Sequence, residues 1–189
     1  VLGEMHLTAE PILSIASLHA YPNIENNSVI AKLKIVRHGK LPRKATLRLH
    51  VNDPQHHSLP LAEKIIKPDS DTTIVEYEYP ISNPQLWDEF TPNLYTLHAC
   101  IETDKSISTK QTRFGMRQLT SKNGHLELNG NKLFLRGTLE CCIFPLTGCP
   151  PTSDNGWRQV YSKAREWGLN HLRFHSYCPP DAAFRVADE

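Results

Sequence analysis

The sequence predicts a mainly β chain: an immunoglobulin-like β-sandwich followed by a β-hairpin and a strand–helix–strand–helix series. Three observations carry this. In the first part of the chain apolar residues recur at every second position, the period of a strand with one buried face. Punctuation is uneven: nine of the fourteen prolines fall at or before Pro92, and seven of the nine glycines at or after Gly115. Beyond Gly115 the apolar period switches to one that suits helices alternating with strands.

The elements follow in order. Residues 12–20 read as a first strand. Val29, Ala31, Leu33 and Ile35 alternate with Lys32 and Lys34, and Ala45, Leu47, Leu49 and Val51 with Thr46, Arg48 and His50. A short strand is expected over 61–66. Val75, Tyr77 and Tyr79 alternate with Glu76 and Glu78, Tyr95 to Ile101 alternate likewise, and a last strand covers 107–114. About seven short strands is the count of an immunoglobulin-like or fibronectin-like sandwich. Asn52-Asp53-Pro54 and Lys67-Pro68-Asp69 supply turn chemistry between them.

After Gly115, strands 125–128 and 132–135 flank Asn129-Gly130-Asn131, a strong hairpin signal because Asn and Gly tolerate positive φ. A buried strand is expected through 139–143. Asp154 reads as a helix N-cap, followed by an apolar stripe of Trp157, Val160, Tyr161, Ala164 and Trp167 that should cover a sheet. Gly168 closes the helix where a left-handed C-cap belongs. Residues 169–177 read as the next strand and 180–189 as the start of another helix. Such a series implies a parallel sheet.

Composition narrows the function. Twenty-one Lys+Arg against twenty Asp+Glu leave a net charge of +1, which gives no electrostatic reason for a nucleic-acid or anionic-membrane partner. Mean hydropathy is −0.43, and no stretch approaches the ~20 apolar residues of a membrane helix. The first residues lack the basic start and apolar run of a signal peptide. The chain does not begin with Met, which reads as a piece of a longer protein. Asn26-Asn27-Ser28 is a formal glycosylation sequon.

Several runs together resemble glycoside hydrolase family 2. Leu86-Trp87 with Pro92-Asn93-Leu94-Tyr95-Thr96-Leu97 is similar to a late signature of that family's sandwich domain. Phe114-Gly115-Met116-Arg117 resembles the junction leading out of it. The run from Leu128-Asn129-Gly130 to Leu135-Arg136-Gly137 resembles the entry into its catalytic (β/α)8 barrel, and Pro145-Leu146-x-Gly148 and Gly168-Leu169-Asn170-His171-Leu172-Arg173 continue the pattern. Gly3 and Leu7 look like the last strand of a preceding jelly-roll domain. The resemblance therefore implies three pieces: residues 1–8 ending a jelly-roll sugar-binding domain, 9–115 forming the sandwich, and 116–189 forming an incomplete (β/α)8 barrel start.

The implied chemistry is hydrolysis of a glycosidic bond with retention, β-galactosidase-like, on a carbohydrate substrate and without a cofactor. Retention needs two carboxyls about 5–5.5 Å apart. The resemblance places both glutamates beyond residue 189, so no catalytic pair is expected here and the fragment alone should be inactive. The resemblance also implies an exported parent, periplasmic or extracellular. Barrel sites form at the C-terminal ends of strands. That singles out Glu140, Cys141 and Cys142 after the first strand, and Arg173, His175 and Tyr177 after the second. Arg173 matches the family's arginine that orients the nucleophilic carboxylate; the alternative is an arginine tying strands together. His175 sits one place earlier than the family's histidine, on the face of Arg173, where it either contacts a sugar hydroxyl or is a satisfied core histidine. Thr138-Leu139-Glu140-Cys141-Cys142 departs from the Asn-x-His-Glu pattern of galactosidases, so the pocket should differ. Glu140 either accepts hydrogen bonds from a sugar or pairs with Arg173.

Five cysteines form an odd count, four of them after residue 140. Cys141, Cys142, Cys149, Cys178 and His175 lack a C-x2-C pair, so no metal is expected and the thiols read as small buried hydrophobes; a Cys149–Cys178 disulfide stays open. Trp87 and Tyr95 read as core rather than as sugar platforms. The competing functional reading is a non-catalytic immunoglobulin-like module that binds carbohydrate or protein. A third is a stand-alone structural α+β protein. Two barrel strands leave free edges, which invites self-association.

Overall fold

The computed structural model describes residues 7–39, 44–68 and 70–189. The chain divides into two compact units, one of residues 7–120 with 128–130, the other of 121–127 with 131–189. The expected end of a preceding domain, residues 1–8, falls outside the described residues except for Leu7 and Thr8, which belong to no strand. Asp69 of the expected turn also lies outside them.

Among the described residues, the first unit is a seven-stranded antiparallel sandwich. Strands β1 (Leu13–Asn23), β2 (Ser28–Arg37) and β5 (Thr72–Pro80) form one sheet in the order β1-β2-β5. The other is β4-β3-β6-β7, from β3 (Ala45–Asn52), β4 (Ala62–Ile66), β6 (Leu94–Glu102) and β7 (Ile107–Gly115). Each alternating run in the sequence becomes a strand, because a period of two puts every apolar side chain on one face. Val29, Leu33, Leu47, Val51, Leu97 and Ile101 are fully buried. Side chains of this size contribute about 1.5–3 kcal/mol each on burial. A bulge between Ile15 and Ser17 bends β1 toward β7. There the Ile15 N–H donates to Ser108 Oγ at 3.1 Å and Lys110 Nζ donates to the Ala16 carbonyl at 2.7 Å.

Tyr95 is core, as expected, while Trp87 is half-buried with the Arg117 guanidinium 4.4 Å from its ring centroid. Gly115 is forced by this packing: a Cβ there would approach the Trp87 Cβ to 2.6 Å. Asn129 locks the same corner. Its Nδ2 donates to the Trp87 carbonyl at 2.9 Å, and its Oδ1 accepts the Gln118 N–H at 2.9 Å.

On the outer face of the second sheet, His50 and His98 are cross-strand partners whose rings stack 4.4 Å apart and 5° from parallel. Burial first, then the neighbouring His50, holds the His98 imidazole below its ordinary range. The same face carries Arg48, ion-paired to Glu63 and Glu102, with Cys100 and Gln111 beside the rings. A lowered folded-state pKa means that the unfolded chain binds this proton more tightly. The stability contributed is full above the ordinary imidazole value of ~6.5 and is lost as pH falls below it toward the folded value. The melting temperature is expected to drop between pH 7 and pH 5, and His98→Asn should flatten that slope. A slope unchanged in the variant would place the acid sensitivity elsewhere.

A small sheet in the order β10-β9-β8 follows, built from β8 (Leu119–Lys122), β9 (His125–Leu128) and β10 (Asn131–Leu133). The β9–β10 turn is the expected one, with Asn129 and Gly130 at φ 53° and 79°. The strand β8 is an addition to the sequence reading. It joins β9 through Asn123-Gly124, a second turn with both residues at positive φ (51° and 75°).

The remainder holds β11 (Gly137–Glu140), helix α1 (Asp154–Glu166), β12 (His171–Phe174) and helix α2 (Asp181–Ala187), with β11 and β12 parallel. Four expectations need correction. The N-cap is Ser153, whose Oγ accepts the Gly156 N–H, rather than Asp154, which starts the first turn. The first strand runs over 137–140 rather than 139–143 and the second over 171–174 rather than 169–177. Leu139 is about half exposed instead of buried, since α1 packs on the Phe174 face of the pair and Leu139 is on the other. Trp167 is 83% exposed because the helix ends at Glu166 and Gly168 turns the chain at φ 73° before the stripe comes round again. Cys141, Cys149 and Cys178 are exposed rather than buried, and all five cysteines are free thiols.

The core of this unit is small. Trp157 is fully buried against Ala182, Ala183 and Val186, with Phe144, Val160, Tyr161 and Phe174 packed around it. Its indole N–H donates to the Pro151 carbonyl at 2.8 Å.

Candidate functional site

The parallel pair β11–β12 positions the residues the sequence singled out. Its N-terminal end is tied by backbone-reading side chains. Asn170 Oδ1 accepts the Arg136 N–H at 2.8 Å, Asn170 Nδ2 donates to the Phe134 carbonyl at 3.1 Å, and Arg136 Nε donates to the Gly168 carbonyl at 2.8 Å. The Leu135-Arg136-Gly137 and Gly168-Leu169-Asn170 runs therefore fasten one strand to the other. Gly137 is required here, because a Cβ would meet the His171 carbonyl at 3.0 Å.

The register decides which side chains share a face. Leu139 pairs with Arg173, and Glu140 with Phe174. Paired residues of adjacent strands point to the same side of the sheet, and successive residues to opposite sides. Phe174 packs edge-on against Trp157 of α1, with ring centroids 5.7 Å apart. The Phe174 side is thus the helix side. Arg173 and His175 lie on the other, away from α1, and both are exposed.

Arg173 lies in β12 and His175 one residue beyond its end, a spacing of two that keeps them on one side where the alternation continues. The His175 N–H extends the ladder by donating to the Glu140 carbonyl at 2.8 Å, and its ring Nδ1 lies 3.0 Å from Ser176 Oγ. Glu140 is not brought to them. Its carboxylate is on the helix side, so of the two alternatives for Glu140 the pairing with Arg173 does not form. Oε1 accepts the Cys142 N–H at 2.9 Å, while Oε2 is buried without a hydrogen-bond partner among the described residues. The charge is felt by Tyr161 of α1, whose hydroxyl is pushed up to about 12, first by burial and then by Glu140. Tyr177, the other strand-end residue, stands edge-on to Phe174 with its hydroxyl buried and unpartnered among the described residues.

Cys141, singled out in the sequence with Glu140 and Cys142, was not set there beside Arg173 and His175. β11 ends at Glu140, and alternation continued one residue from Leu139 would carry Cys141 to the Arg173 side. The signal was available as matching spacings of two, 139 to 141 and 173 to 175. Using it required the register of a parallel pair. Among the described residues no three His, Cys, Asp or Glu side chains are placed to hold a metal ion.

The chain is an antiparallel sandwich followed by a parallel strand–helix–strand unit. In parallel α/β architectures the site gathers at the C-terminal ends of the strands. Residues 13–117, more than half of the chain, match the sequence profile of the glycosyl hydrolases family 2, and the chain belongs to that family. A β-galactosidase of Staphylococcus xylosus is 26% identical over 114 residues, covering 60% of this chain and 11% of its own length. Among solved structures, a glycosyl hydrolase family 2 member from Bacteroides cellulosilyticus superposes with a TM-score of 0.86 at 20% identity, covering 95% of this chain and 24% of its own. The β-glucuronidase of Parabacteroides merdae superposes with a TM-score of 0.74 at 24% identity, over 94% and 22% of the two chains. The chain thus spans less than a fifth of the length of the curated relatives it matches.

Proposed function

We propose that this chain is the sandwich and the opening of the (β/α)8 barrel of a retaining glycosidase. Its two catalytic carboxyls lie beyond Glu189, and its substrate is a β-linked galactoside or glycuronide. In this reading residues 9–115 are the spacer sandwich and 116–189 begin the barrel. The observation that carries it is the placement of Arg173 and His175 together at the C-terminal end of β12, on the side away from α1. A barrel gathers its substrate-facing groups at that end of its strands. Arg173 is then a positioning residue. A guanidinium beside the nucleophilic carboxylate keeps it ionised and holds it in a two-pronged grip. His175 contacts a sugar hydroxyl. A non-catalytic binding sandwich has no use for the β11-α1-β12 unit.

The test is stereochemical. Proton NMR of aryl β-galactoside and β-glucuronide hydrolysis, followed from the first turnovers of the glycosidase carrying this chain, is expected to show the β-anomer of the free sugar first. An α-anomer appearing first would mean inversion and overturn the mechanism. Hydrolysis of neither substrate would overturn the substrate assignment.

A further inference from the structure

We infer that Glu140 is a positioning residue rather than a sugar ligand, and that the residue it positions, Cys141, lines the sugar-binding face beside Arg173 and His175. The second half rests on the reading of these strand ends as the sugar site; the first half does not.

Three independent features put the Glu140 carboxylate on the helix side. It pairs in register with Phe174, which packs on Trp157. Its charge contributes to the raised pKa of Tyr161. Its Oε2 is shut off from solvent. A carboxylate that collects sugar hydroxyls must present its oxygens to the ligand, and this one is turned the other way.

What the carboxylate does is visible in the ladder. In a parallel pair the bonds alternate regularly along each strand. The His175 N–H donates to the Glu140 carbonyl, so the next bond of the series would run from the Cys142 N–H to the His175 carbonyl. Instead the Cys142 N–H goes to Glu140 Oε1 at 2.9 Å. The side chain of the last strand residue takes the donor that would have continued the strand. The ladder stops there, and Cys142 adopts φ 60°, a left-handed conformation that costs a residue with a Cβ. Cys141 is left as the last residue in strand alternation. Its thiol is exposed, and alternation carried one residue past the strand end would put it on the Arg173 side. Without the Glu140 bond the strand could run on, and Cys142 would lose the restraint that fixes where the thiol of its neighbour points.

The direct test is amide hydrogen exchange measured by NMR on this chain, with Glu140→Met and Glu140→Gln. Methionine fills similar space without an acceptor; glutamine keeps a carbonyl oxygen where Oε1 stands. In Glu140→Met the Cys142 amide is expected to exchange roughly five- to tenfold faster, the loss of one ordinary hydrogen bond. Glutamine should restore slow exchange. The His175 amide, which donates to a backbone carbonyl that neither substitution removes, should stay protected in both and so report that the strands remain paired. Unchanged Cys142 exchange in Glu140→Met, or fast exchange in Glu140→Gln with His175 protected, overturns the positioning role.

The second arm reads Cys141 itself. Iodoacetamide labelling of the glycosidase carrying this chain, mapped by peptide mass spectrometry, is expected to slow severalfold at Cys141 in excess galactose or glucuronate. Cys149, equally exposed, serves as the reference and should not change. Labelling of Cys141 that is indifferent to both sugars overturns its place on the sugar face. If the exchange results hold while the sugars give no protection, the positioning role of Glu140 stands and the reading of the strand ends as the site falls.

Discussion

Arg173→Ala is expected to lower kcat of the glycosidase by roughly 10²–10³-fold while moving KM far less, since it removes charge-aligned donors that act on the reacting groups. Arg173 stands opposite Leu139 at the C-terminal end of a parallel strand, exposed on the side away from α1. A purely structural arginine would lie where Arg136 lies, at the other end of the pair, with its guanidinium committed to a backbone carbonyl. Loss of kcat alone does not separate a positioning role from a packing defect, so the pH profile is the sharper readout. A guanidinium beside a carboxylate holds that carboxylate's pKa down. Removing it lets the pKa rise, and the acidic limb of kcat/KM should shift to higher pH. Lysine keeps the charge but not the two-pronged geometry, so Arg173→Lys should recover part of the rate and most of the acidic limb. An alanine variant with unaltered kcat/KM, or with a lower rate but an unmoved limb, would remove Arg173 from the mechanism.

How much of this was legible beforehand differs between the two units for physical reasons. The sandwich strands follow from alternation alone. In Val29–Ile35 or Leu47–Val51 a one-residue slip would carry every apolar side chain to the solvent face, so one pattern admits one orientation. The hairpin at Asn129-Gly130 was equally readable, because its turn demands residues that accept positive φ. Strand β8 offered much less: Leu119 is its one large apolar residue and is mostly exposed, so only the Asn123-Gly124 turn announced it. Trp167 shows the limit of a helical stripe, which gives the direction of a residue but not the turn at which the helix ends. The strand-end site was half legible. Arg173 and His175 could be placed on one face because both lie on the same strand. Glu140 could not be placed relative to them. A parallel pair is joined by a long crossover, and no turn fixes its register as a hairpin loop does. Residue type suggested that an acid and an arginine would meet, and the register puts them on opposite sides of the sheet.

The same contrast between the units predicts where a single substitution does most damage to the fold. Trp157→Ala is expected to cost about 3–5 kcal/mol, the range for truncating a large buried aromatic. Among the described residues, twenty-one buried side chains share the load in the sandwich, whereas the cluster around Trp157 has four. Trp157 is its hub: Phe144, Tyr161 and Phe174 all pack on its ring at centroid distances of 5.5–6.3 Å, and the indole N–H satisfies the Pro151 carbonyl in the loop leading to α1. Alanine therefore opens a cavity under three aromatic rings and strands a carbonyl. Total stabilities of whole domains are only about 5–15 kcal/mol, so a core this small has little to spare. Hydrogen exchange should show α1, α2 and β12 losing protection while β2, β3 and β6 keep theirs. Trp157→Phe, which retains the ring contacts but not the hydrogen bond, should lie between the two. Uniform loss of protection across both units would show instead that they unfold as one, and full protection in Trp157→Ala would mean that the cluster is not what holds α1 to the strand pair.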